Sequence, residues 1–130
     1  TGNKKVVLKD PRQTNYGEHA FMFDRVFWTD DGQEDVFKEV AHRSIQHCFK
    51  GYNACCFAYG QTGSGKTYSM FGESRARGLI PRSVEQVFEI AEEKAATHDV
   101  AVLVSFLEMY CDCIRDLGQA YLDKTGRPDQ

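Results

Sequence analysis

Residues Gly60-Gln61-Thr62-Gly63-Ser64-Gly65-Lys66-Thr67 follow the spacing G-x-x-x-x-G-K-[ST], a glycine-rich turn that ends on a cation and a hydroxyl. The order suits phosphate chemistry. Glycines at 60, 63 and 65 allow the backbone positive φ and a close approach that a Cβ would block. The amides freed in this way form a concave nest for phosphate oxygens, and a helix opening near Lys66 adds the positive end of its dipole. Lys66 has the reach to meet the β- and γ-phosphates as a point charge, and the Thr67 hydroxyl is the residue type that ligates Mg²⁺.

Such a turn needs a strand before it and a helix after it. The apolar run Ala54–Tyr59 reads as a buried strand, with Cys55 and Cys56 acting as small hydrophobes. A short helix is expected over Lys66–Met70, then a loop from Gly72 to Gly78 in which Arg75 and Arg77 are solvated. Upstream, Lys4–Lys9 is β-like and closes on the Asp10-Pro11 turn signal; a polar loop covers residues 12–18, and His19–Phe27 alternates as a strand with Phe21, Phe23 and Val26 on one face. Asp31 with Glu34, or equally Asp30 with Gln33, makes a capping-box-like start to a helix. That helix places Val36, Phe37, Val40, Ala41, Ile45, Cys48 and Phe49 on one stripe, and Gly51 stops it in a left-handed conformation. Pro81 suits the first turn of a further helix with the stripe Val84, Val87, Phe88 and Ala91. Val100–Tyr110 reads as a central strand, Cys113–Leu117 as a short one, and the tail from Gly118 as polar and turn-prone. Trp28 reads as a packing aromatic at a strand end.

The alternation of strand, helix, strand, phosphate turn, helix and strand implies an α/β fold. It is a three-layer P-loop NTPase with a mixed central sheet and helices on both faces. The 130 residues are one domain's worth, so residues 1–130 are read as a single domain with no second one. A net charge of −3 offers no basic field for nucleic acid or an anionic membrane. No apolar run approaches the roughly 20 residues of a membrane helix, and no signal-peptide pattern opens the chain. Five cysteines without paired C-x-x-C spacing suggest a reducing, cytosolic compartment. Cys111-Asp112-Cys113 and the scattered histidines His19, His42, His47 and His98 do not assemble a four-ligand metal pattern.

Beyond the phosphate turn, the chain resembles a kinesin motor domain. The resemblance runs in family order through Phe23-Asp24-Arg25-Val26-Phe27, Tyr52-Asn53-Ala54, Phe57 to Thr67, Gly78-Leu79-Ile80-Pro81-Arg82 and Phe106-Leu107-Glu108-Met109-Tyr110. It implies that Gly60, Gln61, Thr62, Gly63, Ser64, Gly65, Lys66 and Thr67 cradle the phosphates of ATP or ADP, with Thr67 on Mg²⁺. Gln61 and Thr62 would serve as turn-shaping residues rather than catalysts. Tyr68 falls where kinesins place a ring against adenine. The implied activity is a microtubule-stimulated ATPase that couples hydrolysis to movement, cytoplasmic and cytoskeletal, with the microtubule as partner. Oligomeric state, subfamily and stepping direction are not implied by these residues.

Some family segments are not among these residues. The R-x-R-P opening is missing, as are the switch motifs N-x-x-S-S-R-S-H and D-L-A-G-x-E; Asp116-Leu117-Gly118 follows the wrong strand and lacks the acid. The stretch therefore reads as the N-terminal portion of a motor domain that contains no catalytic residues of its own. Taken alone it is expected to be inactive, and an unpaired sheet edge is expected to associate. Two other readings stay open: a non-catalytic kinesin-like module that binds microtubules or another partner, and an unrelated P-loop kinase.

Overall fold

The computed structural model describes residues 4–9 and 18–125. The Asp10-Pro11 turn, the loop over 12–17 and the last residues of the tail, 126–130, lie outside them. The chain divides into two compact units, Thr1–Glu93 and Lys94–Gln130.

In the first unit, β1 (Lys5–Leu8) and β2 (His19–Met22) pair antiparallel, with Lys5 opposite Met22 and Leu8 opposite His19. The strand expected to reach Phe27 stops at Met22. Phe23 adds one amide bond to the Lys4 carbonyl at 2.8 Å, and the chain then turns. Asp31 gathers that turn: its carboxylate accepts from the Trp28 amide at 2.6 Å and from the Arg25 guanidinium at 3.2 Å. Trp28 itself is 70% exposed, so it does not pack as expected.

With Asp31 committed to the turn, the helix begins one residue later than the Asp31 capping box implied and two later than the Asp30 one. Gly32 is the N-cap of α1 (Gln33–Phe37), and Asp35 reaches back to accept the Gly32 amide at 2.9 Å. A π turn, Lys38–His42, separates α1 from α2 (Arg43–Cys48). Its wider turn shifts the phase of the apolar stripe: Ala41 is buried, whereas Val40 and Cys48 are exposed. Gly51 ends the helix as the sequence implies, with φ 93°. The Tyr52 amide donates to the His47 carbonyl at 3.2 Å and the Gly51 amide to that of Cys48 at 2.9 Å, the two bonds of a Schellman motif.

After the phosphate turn come α3 (Lys66–Met70) and a hairpin of β3 (Gly72–Glu73) and β4 (Ala76–Arg77). The loop expected from Gly72 to Gly78 is thus a short hairpin. A Cβ on Gly72 would collide with the Ala76 carbonyl and the Gly78 amide, so only glycine brings the hairpin's base together. Arg77 is exposed, as expected, and also pairs with Glu85 on α4 (Leu79–Lys94), while its carbonyl accepts from Arg82 Nε at 2.9 Å. Pro81 lies in the first turn of α4, as expected.

The buried face of α4 differs from the expected stripe. Leu79 and Gln86 are buried, and Val87, Ile90 and Ala91 half-buried, while Val84 and Phe88 are about half exposed. On this face Gln86 Nε2 donates to the His42 carbonyl at 3.2 Å, so the side of α4 that carries Gln86 meets the π turn.

The second unit holds β5 (Leu107–Tyr110) and β6 (Cys113–Asp116), paired antiparallel. Cys111 (φ 48°) and Asp112 (φ 59°) form the two-residue left-handed turn that matches strand twist. The tail is not turn-prone throughout, since α5 (Leu117–Thr125) follows directly. Asp116 starts it by accepting the Gln119 amide at 3.1 Å.

Among the described residues the sheets are three separate antiparallel pairs. Ala54–Tyr59 and 100–106 do not form the buried strands expected of them: Phe57 is 80%, Tyr59 94% and Leu103 95% exposed, and Cys55 and Cys56 are exposed thiols. A strand is defined by its ladder, and among the described residues neither segment has a neighbour in hydrogen-bond register. Without that neighbour, no second layer covers their side chains.

Candidate functional site

The turn at 60–67 is built from conformations only glycine takes easily. Gly63 (φ 80°) and Gly65 (φ 88°) are left-handed, and Gly65 is the N-cap that swings the chain into α3. Gly60 (φ 155°) also has a backbone that side chains disfavour, and a Cβ there would stand 2.5 Å from Ser64 Oγ. The Ser64 amide closes the turn on the Gln61 carbonyl at 3.2 Å.

Lys66, first in α3, folds back over the turn. Its Nζ donates to the Gly60 carbonyl at 2.9 Å and to that of Gln61 at 2.7 Å, so the ammonium sits within the loop rather than in bulk solvent. Among the described residues, nothing accepts from the amides of Gly63, Gly65, Lys66 or Thr67. Free amides at the head of a helix, with an ammonium beside them, make a cradle for anionic oxygens. The Thr67 hydroxyl has no hydrogen-bond partner among the described residues either, which leaves it available as a metal ligand.

The structure brings Gly60, Gln61, Ser64 and Lys66 into direct contact, and places Gly63 and Gly65 in the same turn. Thr62 is exposed on its rim. Thr67 and Tyr68 project from α3, and the Tyr68 ring is 48% exposed. A further contact escaped sequence reading: Gln33 Nε2, at the head of α1, donates to the Tyr68 carbonyl at 2.8 Å. Nothing in the spacing of the two residues signals it.

The kinesin motor domain profile matches residues 1–127. The mouse kinesin-like protein KIF13A is 43% identical over 129 residues, covering 89% of this chain and 7% of its own. Kinesin-like protein KIN-14R of Arabidopsis thaliana is 48% identical over 103 residues, with 79% and 9% covered. Human kinesin-like protein KIF1C is 35% identical over 127 residues, with 89% and 11% covered. The chain thus spans 7% to 11% of the length of these relatives. A solved structure of KIF14 with ADP in complex with a microtubule superposes with a TM-score of 0.71 at 31% identity, covering 100% of this chain and 37% of that one. A KIF14 dimer in a two-heads-bound state with AMP-PNP on a microtubule gives 0.63 at 35% identity, covering 72% and 28%. The fold is the kinesin P-loop NTPase fold. On the profile match and these identities together, the chain belongs to the kinesin motor-domain family.

Proposed function

We propose that this chain is the nucleotide-binding, N-terminal portion of a kinesin motor domain whose full-length protein is a microtubule-stimulated ATPase that moves along microtubules in the cytoplasm. The observation that carries the reading is the turn at 60–67, with its open amides and inward ammonium. In it Gly60, Gln61, Thr62, Gly63, Ser64, Gly65, Lys66 and Thr67 cradle the phosphates of ATP or ADP, with the open amides of Gly63, Gly65, Lys66 and Thr67 as donors. Lys66 exchanges the carbonyls of Gly60 and Gln61 for phosphate oxygens. Each charge-assisted bond of this kind contributes about 1.5–3 kcal/mol. Mg²⁺, held through the Thr67 hydroxyl, supplies neutralisation of the phosphate charge. Tyr68, with its half-exposed ring at the start of α3, stacks on the adenine. The similar KIF14 structures hold ADP or AMP-PNP in complex with a microtubule, which is the support for nucleotide and partner.

In the full-length protein, Ala54–Tyr59 and 100–106 take their places in a mixed central sheet, between layers of helices, once neighbouring strands reach them. Turnover belongs to the full-length protein, because the residues that orient water in kinesins are in switch motifs not found among these 130. Lys66→Ala in that protein is expected to lower microtubule-stimulated turnover or ATP affinity by orders of magnitude. Wild-type ATPase in the variant refutes the assignment, and ATPase that ignores microtubules refutes the motor.

A further inference from the structure

We infer that Gln33 is a positioning residue for the nucleotide site, holding the short helix that carries Lys66, Thr67 and Tyr68. This rests on the reading of the turn at 60–67 given above.

The five-residue α3 is too short to stand by its own ladder. Its head is tied to the turn through the Lys66 ammonium, and a further anchor acts at its tail. There the Thr67 carbonyl accepts the Phe71 amide at 2.8 Å, and the Phe71 carbonyl accepts that of Gly78 at 3.0 Å. Between them the Tyr68 carbonyl has no backbone donor among the described residues, because the residue that would continue the ladder, Gly72, has turned to φ 76° to enter the hairpin. Gln33 Nε2 fills the gap at 2.8 Å from 35 positions earlier in the chain.

The donor is itself fixed. Gln33 is the first residue of α1, directly after the Gly32 N-cap whose amide is taken by Asp35, so its backbone is tied to a helix rather than to a loop. The bond therefore links α1 to the one peptide that joins Tyr68 to Ser69. A rotation of α3 about its axis would swing the Thr67 hydroxyl and the Tyr68 ring together, and this bond resists it. Contacts that hold a binding group in place, without touching ligand, show their effect in affinity.

The test uses the full-length protein. Gln33→Leu removes the donor at similar size, and Gln33→Glu places an acceptor against the Tyr68 carbonyl. For both, KM for ATP and affinity for a fluorescent ADP analogue are measured, with kcat and Tm alongside. KM for ATP and the analogue Kd are expected to rise about three- to tenfold, the scale of one hydrogen bond, and more in Gln33→Glu than in Gln33→Leu. A residue that only stabilises the fold lowers the folded fraction and hence apparent kcat, while leaving KM in place. KM and Kd within twofold of wild type in whichever variant folds overturn the inference. Lys66→Ala run in parallel separates the two claims. If it too leaves ADP-analogue affinity unchanged, the phosphate assignment has failed; if affinity collapses there and is untouched in the Gln33 variants, only the role of Gln33 has.

Discussion

Gln86 Nε2 lies 3.2 Å from the carbonyl oxygen of His42, joining α4 to the last residue of the π turn. The other end of the same amide is less well served: Gln86 Oε1 is buried and accepts from no partner among the described residues. The side chain thus gains one bond and loses hydration of one acceptor, effects of about 1 kcal/mol and about 1–3 kcal/mol that oppose each other.

Gln86→Met should therefore leave stability within about 1 kcal/mol of wild type, because it removes the bond and the stranded acceptor together. Gln86→Glu keeps the acceptor, loses the donor and adds charge, and should cost about 2 kcal/mol or more at neutral pH. Chemical denaturation of the full-length motor domain decides the order; a Met variant less stable than the Glu variant contradicts it.

Gly60→Ala should lower ADP-analogue affinity at least about tenfold, since φ 155° strains any side chain there and the new methyl also meets Ser64 Oγ at 2.5 Å. Adding Ser64→Gly removes the obstructing side chain and should recover part of the loss. Equal affinities for the single and double variants would place the defect elsewhere.

Gly51 and Gly72 both have positive φ, but only Gly72 also has backbone in the way of a Cβ. Gly51→Ala should cost about 1 kcal/mol, the left-handed penalty alone. Gly72→Ala should cost clearly more, because the hairpin base has to part. Matched thermal melts of the two variants compare them directly.

Asp116→Ala should destabilise α5 by about 1 kcal/mol through loss of the bond from the Gln119 amide. Amide exchange over 117–125 would rise, and Asp116→Asn, which keeps an acceptor, should hold most of the protection. Exchange that is the same in all three proteins removes Asp116 as the cap.

The Glu34 carboxyl is held below its ordinary range by a hydrogen bond from Lys38 and by that residue's charge. A lowered carboxylate stabilises the fold above its unfolded pKa, and the contribution is lost as pH falls through the lowered folded value. Both groups are solvent-exposed, so the effect on stability should be small and screened by salt. An NMR titration should show the Glu34 midpoint moving up in Lys38→Gln; no movement means the pair is not formed.

Local chemistry was legible where one or two adjacent residues decide the outcome. Gly51, Pro81, Lys66–Met70 and the turn glycines stand where spacing put them, because each is governed by backbone sterics within a few residues. The Asp116 cap escaped the sequence reading, because the polar residues from Gly118 onward read as turn-prone. What sequence could not convey was competition at a distance. Asp31 was claimed by Trp28 and Arg25, which moved the α1 cap; Gln86 lies against His42 on a face of α4 that the apolar stripe does not mark; and Gln33 found Tyr68. The strand reading of Ala54–Tyr59 needed a neighbour, and composition cannot say whether one is at hand.

The base of the β3–β4 hairpin has a wider consequence. Gly72 and Gly78 lie backbone to backbone, so the two ends of the segment stay at a set separation whatever peptide runs between them. Residues added at Ser74-Arg75 would only lengthen an outward excursion, at about 0.6 kcal/mol for each doubling of its length. The spot is thus a port at which evolution, or an engineer splicing in a reporter, can enlarge the molecule without disturbing α3 or α4.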